Sequence, residues 1–306
     1  MTEFRSCLET GQFVITSELE PPKGVDLRKA IEYAKSLEGK VHAVNITDSP
    51  MANMRMSPIA VAHVVKQETN LDAIFHLTCR DRNIIGLQSE LLGAYALGVK
   101  TILILTGDHP EKGDHPFAQG VYEVDSLGLV EIANRLNQGY DWQGNELAGA
   151  TDFCIGVAAN PCAPDLDMEV WRLTRKVEIG AHFVETQPVY EIESLYRFIS
   201  RIEHLNVPVI AGVLPLKSEK MATYMSRNVP GIHIPEWLAR RVKEQGRNAG
   251  VEAARDLLAV LPGIVQGAHI MPVGSRKLVL DVLSGMEMIG HCVLPIDGID
   301  ASKAVR

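Results

Sequence analysis

Residues 73–110 read AIFHLTCRDRNIIGLQSELLGAYALGVKTILILTGDHP. Two nearly continuous apolar runs, Ala73–Thr78 and Thr101–Thr106, enclose a stretch whose apolar residues Leu87, Leu91, Leu92 and Tyr95 recur three and four apart. The runs have the length and composition of strands covered on both faces, and the middle has the period of an amphipathic helix. A helix over Ile84–Leu97 is long enough to carry the chain back across a sheet, so the two strands are expected to lie parallel. This is a β/α unit.

The same rhythm extends in both directions. Strands are expected at Phe13–Leu19, His42–Thr47, Phe153–Ala158, His182–Thr186, Val207–Val213 and Gly267–Met271, making eight with the two above. Helical patterns fall between them at Leu27–Glu38, Pro58–Glu68, Ser126–Asn137, Met168–Ile179 and Ile192–Glu203. Three more, Glu219–Arg227, Glu236–Arg247 and Val251–Leu261, precede the last strand, and Ser275–Ser284 follows it. No Asn-Gly hairpin signal and no linker interrupts the series. Eight units in a chain of 306 residues predict an α/β fold, a single (β/α)8 TIM barrel over residues 1–306. An open doubly wound sheet is the alternative, weakened by the lack of a G-x-G-x-x-G turn after the first strand.

Composition narrows the function. Apolar residues make up 46% and charged residues 22%, as in ordinary globular domains, and Lys plus Arg (30) against Asp plus Glu (38) give a net charge of −8. That balance argues against nucleic acid as a partner. No apolar run approaches the roughly 18 residues of a membrane span, and the opening MTEFRSCLETGQF lacks a signal-peptide core, so a cytoplasmic protein is expected. Five cysteines (Cys7, Cys79, Cys154, Cys162, Cys292) stand widely apart, which suggests reduced thiols and no metal site.

In a barrel the chemistry lies at the carboxyl ends of the strands. Those ends are polar here: Ser17-Glu18-Leu19-Glu20, Asn45-Ile46-Thr47-Asp48, His76-Leu77-Thr78-Cys79-Arg80-Asp81-Arg82, Thr106-Gly107-Asp108, Ala159-Asn160-Pro161 and Glu185-Thr186-Gln187-Pro188. Strand alternation points either Glu18 or Glu20 inward, and a desolvated carboxyl there could donate a proton near neutral pH or serve as a structural carboxylate. Asp108 follows a glycine that permits close backbone approach, and reads as a turn residue or as an anion at the mouth. His76 reads as a satisfied core histidine, a base, a cofactor contact or, least of these, a metal ligand. Arg80 and Arg82 fit a local ion pair with Asp81 or a phosphate contact. Lys176 belongs to a basic helix face with Arg172 and Arg175.

The segments SELEPPKG, ITDSPMANMRMSP, HLTCRDRNIIGLQSELLGAYALGVKTILILTGDHP, YEVDSLGLV, GVAANPCAP, RKVEIGAHFVETQPVY and GVLPL, taken in order, resemble the methylenetetrahydrofolate reductase family. The resemblance implies a flavin-containing barrel that reduces 5,10-methylenetetrahydrofolate to 5-methyltetrahydrofolate in one-carbon metabolism, on the way to methionine. It implies that Glu18 is the general acid, that Asp108 stabilises the cationic folate intermediate, and that Gln187 contacts the pterin. It places Thr47, His76, Gly107, Asp108, Tyr122, Asp125, Asn160 and Lys176 at the flavin. FAD is favoured and FMN remains open, because Thr106, Asn160 and Pro164 replace residues that some members place by the outer dinucleotide. Electrons come from NAD(P)H, or else from an electron-delivering partner subunit; Met225 stands where one type of reductase has a phenylalanine that stacks on NADH. A homo-oligomer is expected.

Overall fold

Each strand expected from the sequence forms, within two residues at either end. They are β1 (Val14–Leu19), β2 (Ala43–Ile46), β3 (Asp72–Thr78), β4 (Thr101–Leu105), β5 (Cys154–Ala159), β6 (Phe183–Pro188), β7 (Val209–Val213) and β8 (Gly267–Ile270). All pair in parallel in chain order, and β8 returns to β1 through the register Val14↔Gly267 to Ser17↔Ile270, closing the barrel. The open-sheet alternative is thereby excluded. This computed structural model describes residues 3–229, 232–289 and 292–295, the side chains of Asn228, 287–289 and 292–295 excepted.

The surrounding helices are α2 (Arg28–Leu37), α3 (Pro58–Glu68), α4 (Ile84–Ala96), α5 (Ser126–Asn137), α6 (Leu166–Ile179) and α7 (Ile192–Ile202). They are followed by α8 (Glu219–Asn228), α9 (Glu236–Gln245), α10 (Arg247–Val260) and α11 (Arg276–Leu283). Their starts follow from local chemistry. Side-chain oxygens of Asn83, Asp125, Asp165 and Ser218 accept from the free N–H groups of the first turns of α4, α5, α6 and α8. Pro58 opens α3, where its missing N–H costs nothing. Leu37, Val65, Leu87, Leu91, Leu129, Leu173 and Phe198 press the helices onto the outer face of the barrel, forming its larger core.

A second core fills the barrel's amino-terminal half. Val14, Ala43, Ile74, Leu103, Cys154, Phe183 and Ile210 cluster there, and a short helix unforeseen in the sequence, α1 (Glu3–Glu9), closes the end with Phe4, Cys7 and Leu8. The Phe4 and Phe183 rings meet edge to face at 5.5 Å. Gly156 makes room for Phe183: a Cβ at Gly156 would lie 2.2 Å from that ring. A further unforeseen element is an antiparallel hairpin, β9 (Met286–Ile289) with β10 (Cys292–Pro295), outside the barrel sheet. The side chain of Cys292 lies outside the described residues; the other four cysteines are free thiols.

Phe4→Ala removes the largest fully buried side chain of α1 and is expected to cost ~3–5 kcal/mol. Urea unfolding measures this, and an unchanged midpoint would show that α1 does not seal the barrel.

Candidate active site

Above the apolar plug, side chains facing into the barrel become polar. Thr16, Asn45, His76, Glu185 and His269 are all buried there, on β1, β2, β3, β6 and β8, where barrels usually hold branched apolar side chains. A cavity of about 190 Å³ opens above them at the carboxyl ends of the strands, lined in part by Glu18, Thr47, His76, Gly107, Asp108 and Gln187. A larger cleft of about 540 Å³ lies at the opposite end, against α1, α7 and β7, where Arg5 is already paired with Glu9 and Asp152. Chemistry belongs to the smaller cavity, because there several strand ends deliver polar groups to one volume.

Glu18 and Glu20 share a parity, and the end of β1 at Leu19 is what separates them. Glu18 faces the cavity, whereas Glu20 is outside and pairs with Arg55. No described residue hydrogen-bonds the Glu18 carboxyl, so burial, with a smaller contribution from Glu20, pushes it up to about 7. Gln187 reaches the cavity through a bulge: β6 spends Glu185 to Pro188 against Ile210 to Gly212 of β7. The Thr186 hydroxyl accepts from Gly212 N at 2.9 Å and donates to Gln187 O at 2.8 Å. A Cβ at Gly212 would come within 2.5 Å of Thr186 O, so the bulge requires glycine opposite it.

Gly107 adopts φ +91°, and the turn leaves Asp108 exposed at the rim. The Tyr122 hydroxyl donates to Asp108 O at 2.9 Å, and its ring stacks on His109. Thr47 Oγ1 and His76 Nε2 are buried without a protein partner. Burial lowers His76 to about 4, so its imidazole is neutral at neutral pH.

The other expected contacts do not line this cavity; they lie beyond the ends of β4 and β5. Asp125 caps α5, and Lys176 donates to Ala158 O at 3.0 Å with burial lowering its pKa. Asn160 accepts from Cys162 N in its own turn. Both arginines of the Arg-Asp-Arg segment are engaged in ion pairs: Arg80 with Asp81 (2.7 Å) and Arg82 with Asp48 (2.8 Å). Arg80 also donates to Ser49 O, bracing a turn in which Ser49, Met51 and Ala52 adopt positive φ.

The family model described as methylenetetrahydrofolate reductase matches residues 3–287. The chain belongs to that family. A 5,10-methylenetetrahydrofolate reductase of Salmonella typhimurium is 27% identical over 267 residues, 82% of each chain. Methylenetetrahydrofolate reductase 2 of Schizosaccharomyces pombe is 29% identical over 231 residues, which are 68% of this chain and 34% of that longer protein. A Clostridium thermocellum protein, described as binding two copies of 5-methyl-5,6,7,8-tetrahydrofolic acid, shares the fold with TM-score 0.63 at 16% identity. That match covers 92% of this chain and 96% of the other.

As a methylenetetrahydrofolate reductase, the chain has residues that fit a flavin. Thr47 Oγ1 and His76 Nε2 are buried polar atoms without protein partners, on neighbouring strands and both bordering the cavity. Among the described residues no group of His, Cys, Asp and Glu could hold a metal ion. No described helix is long and apolar enough to cross a membrane. Met225 does not border the cavity; it is buried with Leu216, Met221 and Leu238 in a satellite cluster between α8 and α9.

Glu185 and Asn45 stand in the polar strand ends with no role assigned from sequence, and His269 is not singled out there, although parity marks them: Glu185 precedes Gln187, Asn45 precedes Thr47 and His269 precedes Met271 by two residues. Asn45 Nδ2 donates to Glu185 Oε2 at 2.6 Å, His269 Nε2 lies 3.6 Å from Glu185 Oε1, and Thr16 Oγ1 is 2.8 Å from His269 Nδ1. Burial above all pushes Glu185 up to about 8 and His269 down to about 3.

These shifts act on stability in opposite directions. The raised carboxyls contribute fully below their ordinary 4.5 and lose the contribution as pH rises through about 7 and about 8. The depressed histidines contribute fully above their ordinary 6.5 and lose it as pH falls toward about 4 and about 3. The two effects offset between, and above pH 6.5 the carboxyls alone remain. Glu185 is then expected to cost about 1.4 kcal/mol per pH unit until it ionises. Urea midpoints of the wild type should fall between pH 6.5 and pH 8, and Glu185→Gln should flatten that fall; equal slopes would contradict the assignment.

Proposed function

We propose that this reductase converts 5,10-methylenetetrahydrofolate to 5-methyltetrahydrofolate with Glu18 as general acid and a bound flavin as hydride source. The observation that carries the reading is Glu18 itself, an unpaired carboxyl held up to about 7 inside the one cavity it shares with Gln187 and Asp108. A carboxylic acid still protonated near neutrality can protonate the folate nitrogen whose bond to the methylene carbon breaks, leaving an iminium cation. Asp108 supplies a negative charge at the rim, which favours that cation over neutral folate. The Gln187 amide both donates and accepts, as recognition of a pterin edge requires.

Thr47, His76, Gly107 and Asp108 would hold the flavin's ring system, with Tyr122, Asp125, Asn160 and Lys176 along its outer part. That strip beyond β4 and β5 favours FAD; FMN would use only its inner portion. When bound, the flavin supplies the hydride that the folate carbon accepts. NAD(P)H is the proposed electron donor. The burial of Met225 supports a second reading, in which a partner subunit delivers the electrons, because a side chain closed into the α8–α9 cluster offers no face to a nicotinamide ring.

Glu18→Gln is expected to leave bound flavin reducible while slowing folate reduction by ~10²–10⁴-fold, as stopped-flow half-reactions measure. Equal loss in both half-reactions would remove Glu18 from the acid role. Asp108→Asn is expected to raise the flavin's potential and slow the folate step, since a negative charge is lost beside both. A spectroelectrochemical potential equal to the wild type's would displace Asp108 from the flavin.

A further inference from the structure

The two buried carboxyls on the cavity side of β2 and β6, Asp48 and Glu185, are held in contrasting ways. Asp48 accepts from Thr78 N at 3.0 Å, from Thr78 Oγ1 at 2.9 Å and from the Arg82 guanidinium. These groups serve only a charged carboxylate well, and a fixed cation is among them. Glu185 has partners of another kind. The Asn45 amide donates to an ionised Glu185 and, turned over, accepts from a protonated one. His269 is neutral and can place its ring proton on either nitrogen, with the Thr16 hydroxyl beyond it able to donate or accept in response. Glu185 therefore keeps its Asn45 hydrogen bond with or without its proton, while His269 Nε2 lies 3.6 Å away, beyond hydrogen-bond distance.

The groups around it narrow the consequence. Glu18 from β1, His76 from β3 and His269 from β8 are the titratable side chains bordering the same cavity, with Asp48, Arg80 and Asp108 at the rim. Both of the rim's buried charges, Asp48 and Arg80, are already paired, with Arg82 and Asp81. The two histidines are neutral, so no inner cation compensates either glutamate. Two carboxyls in one desolvated volume repel when both are ionised, and their protons leave as a coupled pair.

We propose that Glu185 is a positioning residue for Glu18: the two carboxyls keep at least one proton between them through neutral pH, and Glu185 thereby sets the upper pH at which Glu18 remains an acid. The functional meaning rests on the reading of Glu18 as proton donor, whereas the coupling itself does not. No bond to substrate is made by Glu185. Its ionisation state changes only the ease with which Glu18 loses its proton.

Infrared titration of the purified protein follows the carbonyl stretches of protonated buried carboxyls between about pH 5 and about pH 10, spanning the range in which raised carboxyls ionise. The bands are assigned by their loss in Glu18→Gln and in Glu185→Gln. In Glu185→Gln the Glu18 band is expected to bleach about one pH unit lower than in the wild type. The coupling also acts on the other partner, so the Glu185 band in Glu18→Gln should move down as well, the larger shift falling on the carboxyl that keeps the last proton, which decides the matter even if Glu185→Gln does not fold. The alkaline limb of the folate half-reaction should move with the Glu18 band. Glu18 and Glu185 bands that bleach at wild-type pH in the opposite variants would overturn the proposal. Coupled bands together with a Glu18→Gln variant that still reduces folate would instead overturn Glu18 as the acid and leave the pair intact.

Discussion

Dryness in the middle of the barrel is the constraint on which the site depends. Ionised glutamates at Glu18 and Glu185 would have to be stripped of water with no cation beside them, and protonated histidines at His76 and His269 would face the same cost. All four are therefore driven to their neutral forms, the carboxyls upward and the imidazoles downward. The apolar half below keeps the arrangement dry. Phe183 fills the space left by Gly156, and Phe4 of α1 packs on its edge, so apolar side chains fill the barrel's amino-terminal half.

The rim is built on the opposite principle. Asp48, Arg80, Asp81 and Arg82 are charged and paired, and they tie β3 to the turn after β2, whose backbone takes up unfavourable positive φ at Ser49, Met51 and Ala52. Such conformations persist where surroundings over-determine them, and here the carbonyls of Asp48 and Ser49 are held by Arg80. The result is a charged, cross-braced mouth over a neutral interior. A folate ring system entering it would meet fixed charge at the edge and an undissociated acid inside.

Most of this was legible from parity and period. Short apolar runs between helical periods located every barrel strand, and the polar ends of those strands led to Glu18, Asp108, His76 and Gln187 at one cavity. Seven residues of α1 contain too few turns to show a period, so its role emerges only when Phe4 is seen against Phe183. The β6 bulge is a backbone event dictated by Thr186 and Gly212 together, and neither residue alone announces it. Glu185 and His269 could have been found, since they share the inward parity of Gln187 and Met271. They belong to a polar layer one step deeper than the residues that end each strand, so a polar strand end alone does not single them out. Met225 shows the reverse limit: a position matched by alignment says nothing about which way its side chain is buried.

The most direct test is made on the purified chain under anaerobic conditions. Released flavin is identified by mass, the bound flavin is reduced chemically, and 5,10-methylenetetrahydrofolate is then added while visible absorbance is followed. Recovery of the oxidised flavin spectrum with an equal yield of 5-methyltetrahydrofolate is the expected result. A reduced flavin that stays bleached in the presence of folate, or a protein that carries no flavin, would contradict it.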